Sequence, residues 1–168
     1  NIIPEIGNNS ASTSNFNLMD IIKRPFLSII TINYNNKLGL EKTFRSVQSQ
    51  SFKDFEYIII DGGSIDGCRE YLESNDDSIY YWVSERDKGL YHAMNKGIRK
   101  ANGDFFLFLN SGDFLSSNTS LQDFINHKDF QGDVIYGDYK FEKGFKIFPD
   151  RLTPSYFIRT SLPHQSTF

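Results

Sequence analysis

Short apolar runs that each end in a polar, acid-bearing turn constrain this chain more tightly than any other feature. Residues 27–33 (LSIITIN) are rich in β-branched side chains and lead into Asn33-Tyr34-Asn35. Residues 55–60 (FEYIII) close on Asp61-Gly62-Gly63-Ser64, and residues 104–109 (DFFLFL) on Asn110-Ser111-Gly112-Asp113. Between them, residues 79–83 (IYYWV) run into Ser84-Glu85-Arg86-Asp87-Lys88-Gly89. The first two runs, apolar without alternation, read as strands buried on both faces of a parallel sheet, and the other two as a third and a fourth strand.

The segments between the strands have a different period. Leu40, Phe44 and Val47 are spaced as on a helix, and Leu90, Ala93, Met94, Ile98 and Ala101 are expected to form one core-facing stripe of a later helix. Ser64 is placed to N-cap a helix running to about residue 75, and Asn102-Gly103 to end the helix before the fourth strand. A weaker helix over about 119–126 and a strand over 133–136 follow, and beyond Gly137 only short strand-like pieces are legible. Strands alternating with helices make βαβ units, so the fold class is α/β, with a mostly parallel, Rossmann-like sheet flanked by helices. Ligands of such sheets bind beyond the carboxyl ends of the strands, where all four polar turns gather.

Composition narrows the function classes. The 168 residues suffice for one α/β domain with a real core. A formal net charge of −3 lacks the basic footprint that nucleic acid or an acidic membrane surface demands. The single cysteine, Cys68, excludes an intrachain disulfide framework, points to a reducing compartment, and reads as a structural thiol. No apolar run reaches the roughly 18 residues of a transmembrane helix. Residues 1–18, rich in Asn and Ser and without periodicity, read as a disordered leader or tail before a domain over 19–168, with Met19 as the expected native start.

The turns suggest a chemistry. The flat ring of Tyr34 could stack on a nucleobase. A carboxylate at Asp61 could accept from a base N–H, favouring uridine, guanine or thymine over cytidine, with Gly62 and Gly63 admitting the ligand to the backbone. A diphosphate calls for a hard cation, and Mg²⁺ or Mn²⁺ is held by only one or two carboxylates. Asp113 suits that task, and Asn110 could orient it or hold a metal-bound water. Each turn also has a plainer reading, because Asn, Asp, Gly and Ser form turns for their own sake. Asp113 fits a simple cap, residues 85–88 a solvated turn with weak ion pairs, and His92, Asn95 and Lys96 ordinary exposed helix positions. There is no Cys/His set for zinc and no Gly-rich Walker or dinucleotide loop.

Taken in order, LSIITINYNN, QSFKDFEYIIIDGGSIDG and SERDKGLYHAMNKGIRKANGDFFLFLNSGD resemble glycosyltransferase family 2, an inverting group with the GT-A fold. The likeness spans about residues 26–168 and is nearest to the bacterial branch that builds O-antigen, capsule and other surface polysaccharides. It implies a metal-dependent transferase, with Mn²⁺ or Mg²⁺. The donor would be a nucleoside diphosphate sugar, a UDP-sugar being favoured, and the acceptor a glycan or lipid-linked molecule. The expected place is the cytoplasm, peripheral at the inner face of the membrane. By position, Thr31, Tyr34 and Asp61 would surround the nucleoside, and Asp66 would shape the second-strand loop. Glu85 and Asp87 would approach the ribose, diphosphate or donor sugar, with Asn95 and Lys96 facing the same cleft. Asp113, with Asn110, would hold the metal.

Two departures stand out. The family has an acid where Gly112 stands and often one at Asn110, which leaves Asp113 as the metal carboxylate. His92 replaces an Asp common in the branch and is assigned no role. SLPHQSTF resembles a stretch that in relatives precedes the acceptor-binding part, where a later acidic motif supplies the catalytic base. The domain therefore reads as C-terminally truncated, with its catalytic base unknown and His164 the one weak candidate. A non-catalytic sugar-nucleotide-binding fragment is the alternative. A sugar nucleotidyltransferase is less favoured, since NYNNKLGL is not its Gly-rich basic loop. Apolar surface over 139–168 makes a homodimer an expectation.

Overall fold

The computed structural model describes residues 24–128, 130, 132, 135, 139–141 and 143–147. The leader, Met19, the SLPHQSTF stretch and His164 lie outside the described residues, as does the expected strand over 133–136 apart from a buried Ile135.

The chain forms β1 (Leu27–Asn33), α1 (Lys37–Gln48), β2 (Phe55–Asp61) and α2 (Cys68–Glu73). After a 3-10 turn at Asp76–Ser78 come β3 (Tyr81–Ser84), α3 (Leu90–Ile98), β4 (Phe105–Phe108) and α4 (Ser120–Ile125). A small antiparallel hairpin, β5 (Tyr139–Phe141) with β6 (Gly144–Lys146), follows. The four main strands are all parallel in the order β3-β2-β1-β4. The carboxyl ends of β1, β2 and β3 are level, with Asn33 opposite Asp61 and Asp61 opposite Ser84, and β4 ends opposite Ile30. Among the described residues no helix is long and apolar enough to cross a membrane.

Alternation along the strands divides the core into two layers. Leu27, Ile29, Tyr57, Ile59 and Leu107 face Leu40, Phe44 and Val47 of α1, Leu72 of α2 and Leu121 of α4. Ile30, Ile32, Ile58, Ile60 and Phe108 face Ala93 and Met94 of α3. Burying each such side chain is worth about 1.5–3 kcal/mol, which fixes the register of both layers.

Three local expectations are corrected. Ser64 does not cap α2, whose N-cap is Gly67 at φ 90°; its hydroxyl is drawn instead to the Asp61 carboxylate. Asn102-Gly103 does not end α3, which closes at Ile98 with Arg99 as C-cap. Asn102 instead donates from its backbone N–H and Nδ2 to the buried Glu56 carboxylate (2.5 and 3.1 Å), fastening the crossover to the amino end of the sheet. The α3 stripe is only partly core. Ala93 and Gly97 are buried and Met94 and Ala101 pack against the layer, whereas Leu90 and Ile98 are 47% and 39% exposed.

Candidate functional site

The strand order places a switch point beside β1. From β1 the chain goes through α1 to β2 on one side, and it returns through α3, on the opposite face, to β4 on the other. Ladder-like bonds continue past β4, Leu109 N–H to Ile30 C=O (3.0 Å) and Ser111 N–H to Ile32 C=O (3.1 Å), so Asn110 runs alongside the end of β1. A crevice at such a point is where α/β sheets take ligands. Here it is a cavity of about 580 Å³ at the carboxyl edge. Its walls are Asn33 at the end of β1 with Tyr34 after it, Gly62 and Gly63 after β2, Arg86, Asp87 and Gly89 between β3 and α3, Leu90 at the start of α3, and Asn110 after β4.

Tyr34 is 67% exposed and presents its ring on this wall. A Cβ at Gly62 would lie 3.1 Å from Tyr34 Cδ2 and 3.3 Å from Asp87 Oδ2, so the bare backbone is what lets ring and carboxylate close on the loop. Gly63 has φ +81° and lies against the Arg86 backbone, where a Cβ would meet Arg86 N at 3.1 Å. Asp87 lines the cavity and accepts from the Gly89 N–H (2.8 Å).

The other predicted residues are placed differently. Thr31 is fully buried beneath the site: its hydroxyl donates to Leu109 C=O (2.7 Å) and meets the Tyr57 hydroxyl (2.9 Å), because it shares the inward parity of Ile29. It is not among the residues that line the cavity. Asp61 is fully buried too, and the protein fills its acceptors. Oδ1 accepts from Asn33 Nδ2 (2.6 Å) and from Ser64 Oγ, and Oδ2 from Ser64 N–H (2.9 Å) and Ser84 Oγ (2.6 Å). The side chain expected to read a base edge instead knots together the loops after three strands.

Asp66 accepts from the Lys37 N–H (2.9 Å), tying the second-strand loop to the start of α1. Hydrogen bonds from the Cys68 thiol and from that N–H hold its carboxyl below the usual range, while burial pushes the Cys68 thiol up. Glu85 does not line the cavity but forms an ion pair with Lys96 at 2.8 Å, and the adjacent ammonium holds its carboxyl below the usual range. Asn95 is exposed on α3 outside the cavity wall. His92 Nδ1 accepts from the Lys88 N–H (3.4 Å).

The turn after β4 is held by a residue the sequence reading passed over. Thr43 of α1 is buried, donates to Asp113 C=O (2.6 Å) and accepts from Gly112 N–H (3.0 Å). Asn36, the N-cap of α1, adds a bond from Nδ2 to Ser111 C=O (3.2 Å). Asn110 thus reaches the cavity wall, and Asp113 stands half-buried in the adjoining turn. Among the described residues no group of three or more His, Cys, Asp or Glu could hold a metal ion by itself. A single carboxylate with an amide oxygen nearby fits a hard cation shared with ligand phosphates, not a cage made by protein alone. Arg86 was also missed, read as part of a solvated turn, yet it is the cationic residue of the wall. The parity of Thr43 with Leu40 and Val47 was the available signal for its burial; nothing in the local sequence marked Arg86.

Residues 28–165 match the family described as glycosyl transferase family 2. The chain belongs to that family. It is 45% identical over 93 residues to an uncharacterized glycosyltransferase of Mycobacterium tuberculosis, covering 55% of this chain and 36% of that protein. It is 37% identical over 97 residues to the GalNAc(5)-diNAcBac-PP-undecaprenol beta-1,3-glucosyltransferase of Campylobacter jejuni, covering 55% of this chain and 31% of that one. The chain thus spans about a third of the length of these relatives. Among solved structures it is similar to the mannosyltransferase PcManGT of Pyrobaculum calidifontis, in complex with GDP-Man and Mn²⁺ (TM-score 0.53, 20% identity, 69% of this chain and 35% of that one). It is also similar to S. aureus TarS 1–349 with UDP-GlcNAc (TM-score 0.53, 24% identity, 60% and 31%). The fold is therefore that of the GT-A glycosyltransferases, as the sequence resemblance implied.

Proposed function

We propose that this chain forms the donor-nucleotide part of an inverting, metal-dependent glycosyltransferase that builds a bacterial surface polysaccharide. The observation that carries this reading is the switch-point cavity in a family 2 chain, with an exposed aromatic ring on one wall and the Asn110–Asp113 turn beside the other. A nucleobase stacks on Tyr34, whose ring is seated against the bare backbone of Gly62. Asp61 acts from below, holding that loop in place. The diphosphate lies toward Asn110 and Asp113, which would hold Mn²⁺ or Mg²⁺ jointly with its oxygens. A cation there supplies positive charge to the leaving diphosphate. The reaction is a single displacement: the acceptor hydroxyl oxygen bonds to the anomeric carbon as the carbon–phosphate-oxygen bond breaks, and the hydroxyl proton passes to a carboxylate base. That base is assigned to no described residue.

The undecaprenol-linked substrate of the Campylobacter relative supports a lipid-linked acceptor, and the UDP-GlcNAc and GDP-Man complexes support a nucleotide-sugar donor. UDP-sugars are the first donors to test. A thermal-shift panel of nucleoside diphosphates and their sugars, each with Mn²⁺, tests the binding part. A ligand at a hundred times its Kd adds about 2.7 kcal/mol, a clear rise in melting temperature. Nucleoside diphosphate release with a lipid-linked acceptor tests transfer. No shift with any nucleotide would overturn the reading.

A further inference from the structure

We propose that Glu85 and Lys96 are positioning residues, an ion-paired clamp that sets the loop between β3 and α3 so that Arg86 and Asp87 are presented to the cavity. This rests on the nucleotide reading, but it gives both residues a task other than touching the ligand. Neither lines the cavity, whereas the two residues directly after Glu85 do. Lys96 Nζ lies 2.8 Å from Glu85 Oε1; the glutamate side chain is 57% exposed and open to water, whereas the lysine is only 15% exposed and is held from the helix side.

Both ends of the clamp are rigid. On the helix side, the neighbouring Gly97 packs so closely on β1 that a Cβ there would lie 2.4 Å from Ile30 Cγ2, which fixes the backbone that carries Lys96. On the loop side, the Glu85 N–H donates to Asp61 C=O (3.0 Å), and Gly63 lies against the backbone of Glu85 and Arg86. The loop then closes on itself through the Gly89 N–H bond to Asp87 Oδ1. The segment between these fixed points is short, and Lys96 is its lateral tie to α3. Without the tie, Arg86 and Asp87 lose their placement at the cavity wall while the sheet beneath them is undisturbed.

The test uses the full chain, with UDP plus Mn²⁺ as the probe. Lys96→Met, Lys96→Arg and the swapped double variant Glu85→Lys/Lys96→Glu are compared with wild type by calorimetry and by amide hydrogen exchange of residues 85–89. In Lys96→Met, UDP binding should weaken about tenfold, as expected for the loss of one well-placed interaction. Exchange in the loop should rise while the melting temperature barely moves. Lys96→Arg should keep the affinity, and the swapped pair should recover most of it. Unchanged affinity and exchange in Lys96→Met would overturn the clamp. So would lost affinity with unchanged exchange and no recovery in the swap, because that pattern means that Lys96 touches the ligand. Should wild type bind no nucleoside diphosphate, the nucleotide reading fails by itself. Exchange then judges the clamp, and an unaltered 85–89 loop in Lys96→Met overturns it.

Discussion

Asp61 shows how a residue's task depends on its neighbours in space. Its carboxylate accepts from Asn33, Ser64 and Ser84 and has no surface open to a ligand. Asp61→Ala should therefore act first on stability. Each buried donor left without an acceptor costs about 1–3 kcal/mol, so urea unfolding should show a loss of at least about 3 kcal/mol. Unchanged stability with weaker nucleotide binding alone would restore the base-reading role. Thr43 predicts the opposite balance. Thr43→Val removes the hydroxyl that spans Asp113 C=O and Gly112 N–H. It should cost only about 1 kcal/mol in urea unfolding yet sharply reduce the Mn²⁺ enhancement of nucleotide binding measured by calorimetry. Asp66 carries the pH dependence. Its carboxyl is held below the ordinary 3.8, so its stabilising contribution is fully present above that value and is lost as pH falls through the lowered one. Asp66→Asn should thus melt earlier than wild type at neutral pH, and the two should converge in strong acid. A gap that persists there would contradict the assignment.

At the scale of elements, the sequence was readable where burial acts on whole runs. LSIITIN and FEYIII became β1 and β2 because central strands covered by helices on both faces are largely apolar. The spacing of Leu40, Phe44 and Val47 became the buried face of α1. What stayed hidden was decided by partners distant in sequence. Ser64 has the chemistry of a helix cap, but its hydroxyl accepts from the Asn35 N–H (2.7 Å) and donates to the Asp61 carboxylate, so the cap fell to Gly67. Thr31 lies in a segment that reads as site, yet strand parity turns it into the core with Ile29. That signal was present in the sequence and was overridden by the family resemblance. Gly97 offers a test at this scale. Helix propensity alone predicts that Gly→Ala gains about 0.8–1.0 kcal/mol. The 2.4 Å approach to Ile30 Cγ2 predicts overpacking instead, a loss of about 1–3 kcal/mol in urea unfolding. A more stable Gly97→Ala would show that α3 can move off β1.

For the molecule as a whole, topology gathers the chemistry. Four parallel strands bring the segments 33–35, 61–64, 84–89 and 110–113 to one edge, although the first and last are more than seventy positions apart. The reversal of direction beside β1 opens the cavity between them. In the proposed reading a single carboxylate in the last turn would make the metal depend on the nucleotide, because Asp113 offers too few ligands to hold a hard cation firmly by itself. Titration calorimetry of UDP against the full chain, with and without Mn²⁺, in wild type and Asp113→Asn, tests this most directly. Wild type should bind UDP more tightly with Mn²⁺, and Asp113→Asn should lose that enhancement while melting at nearly the wild-type temperature. Equal enhancement in both proteins, or no binding of UDP by wild type in either condition, would contradict a donor site built around this turn.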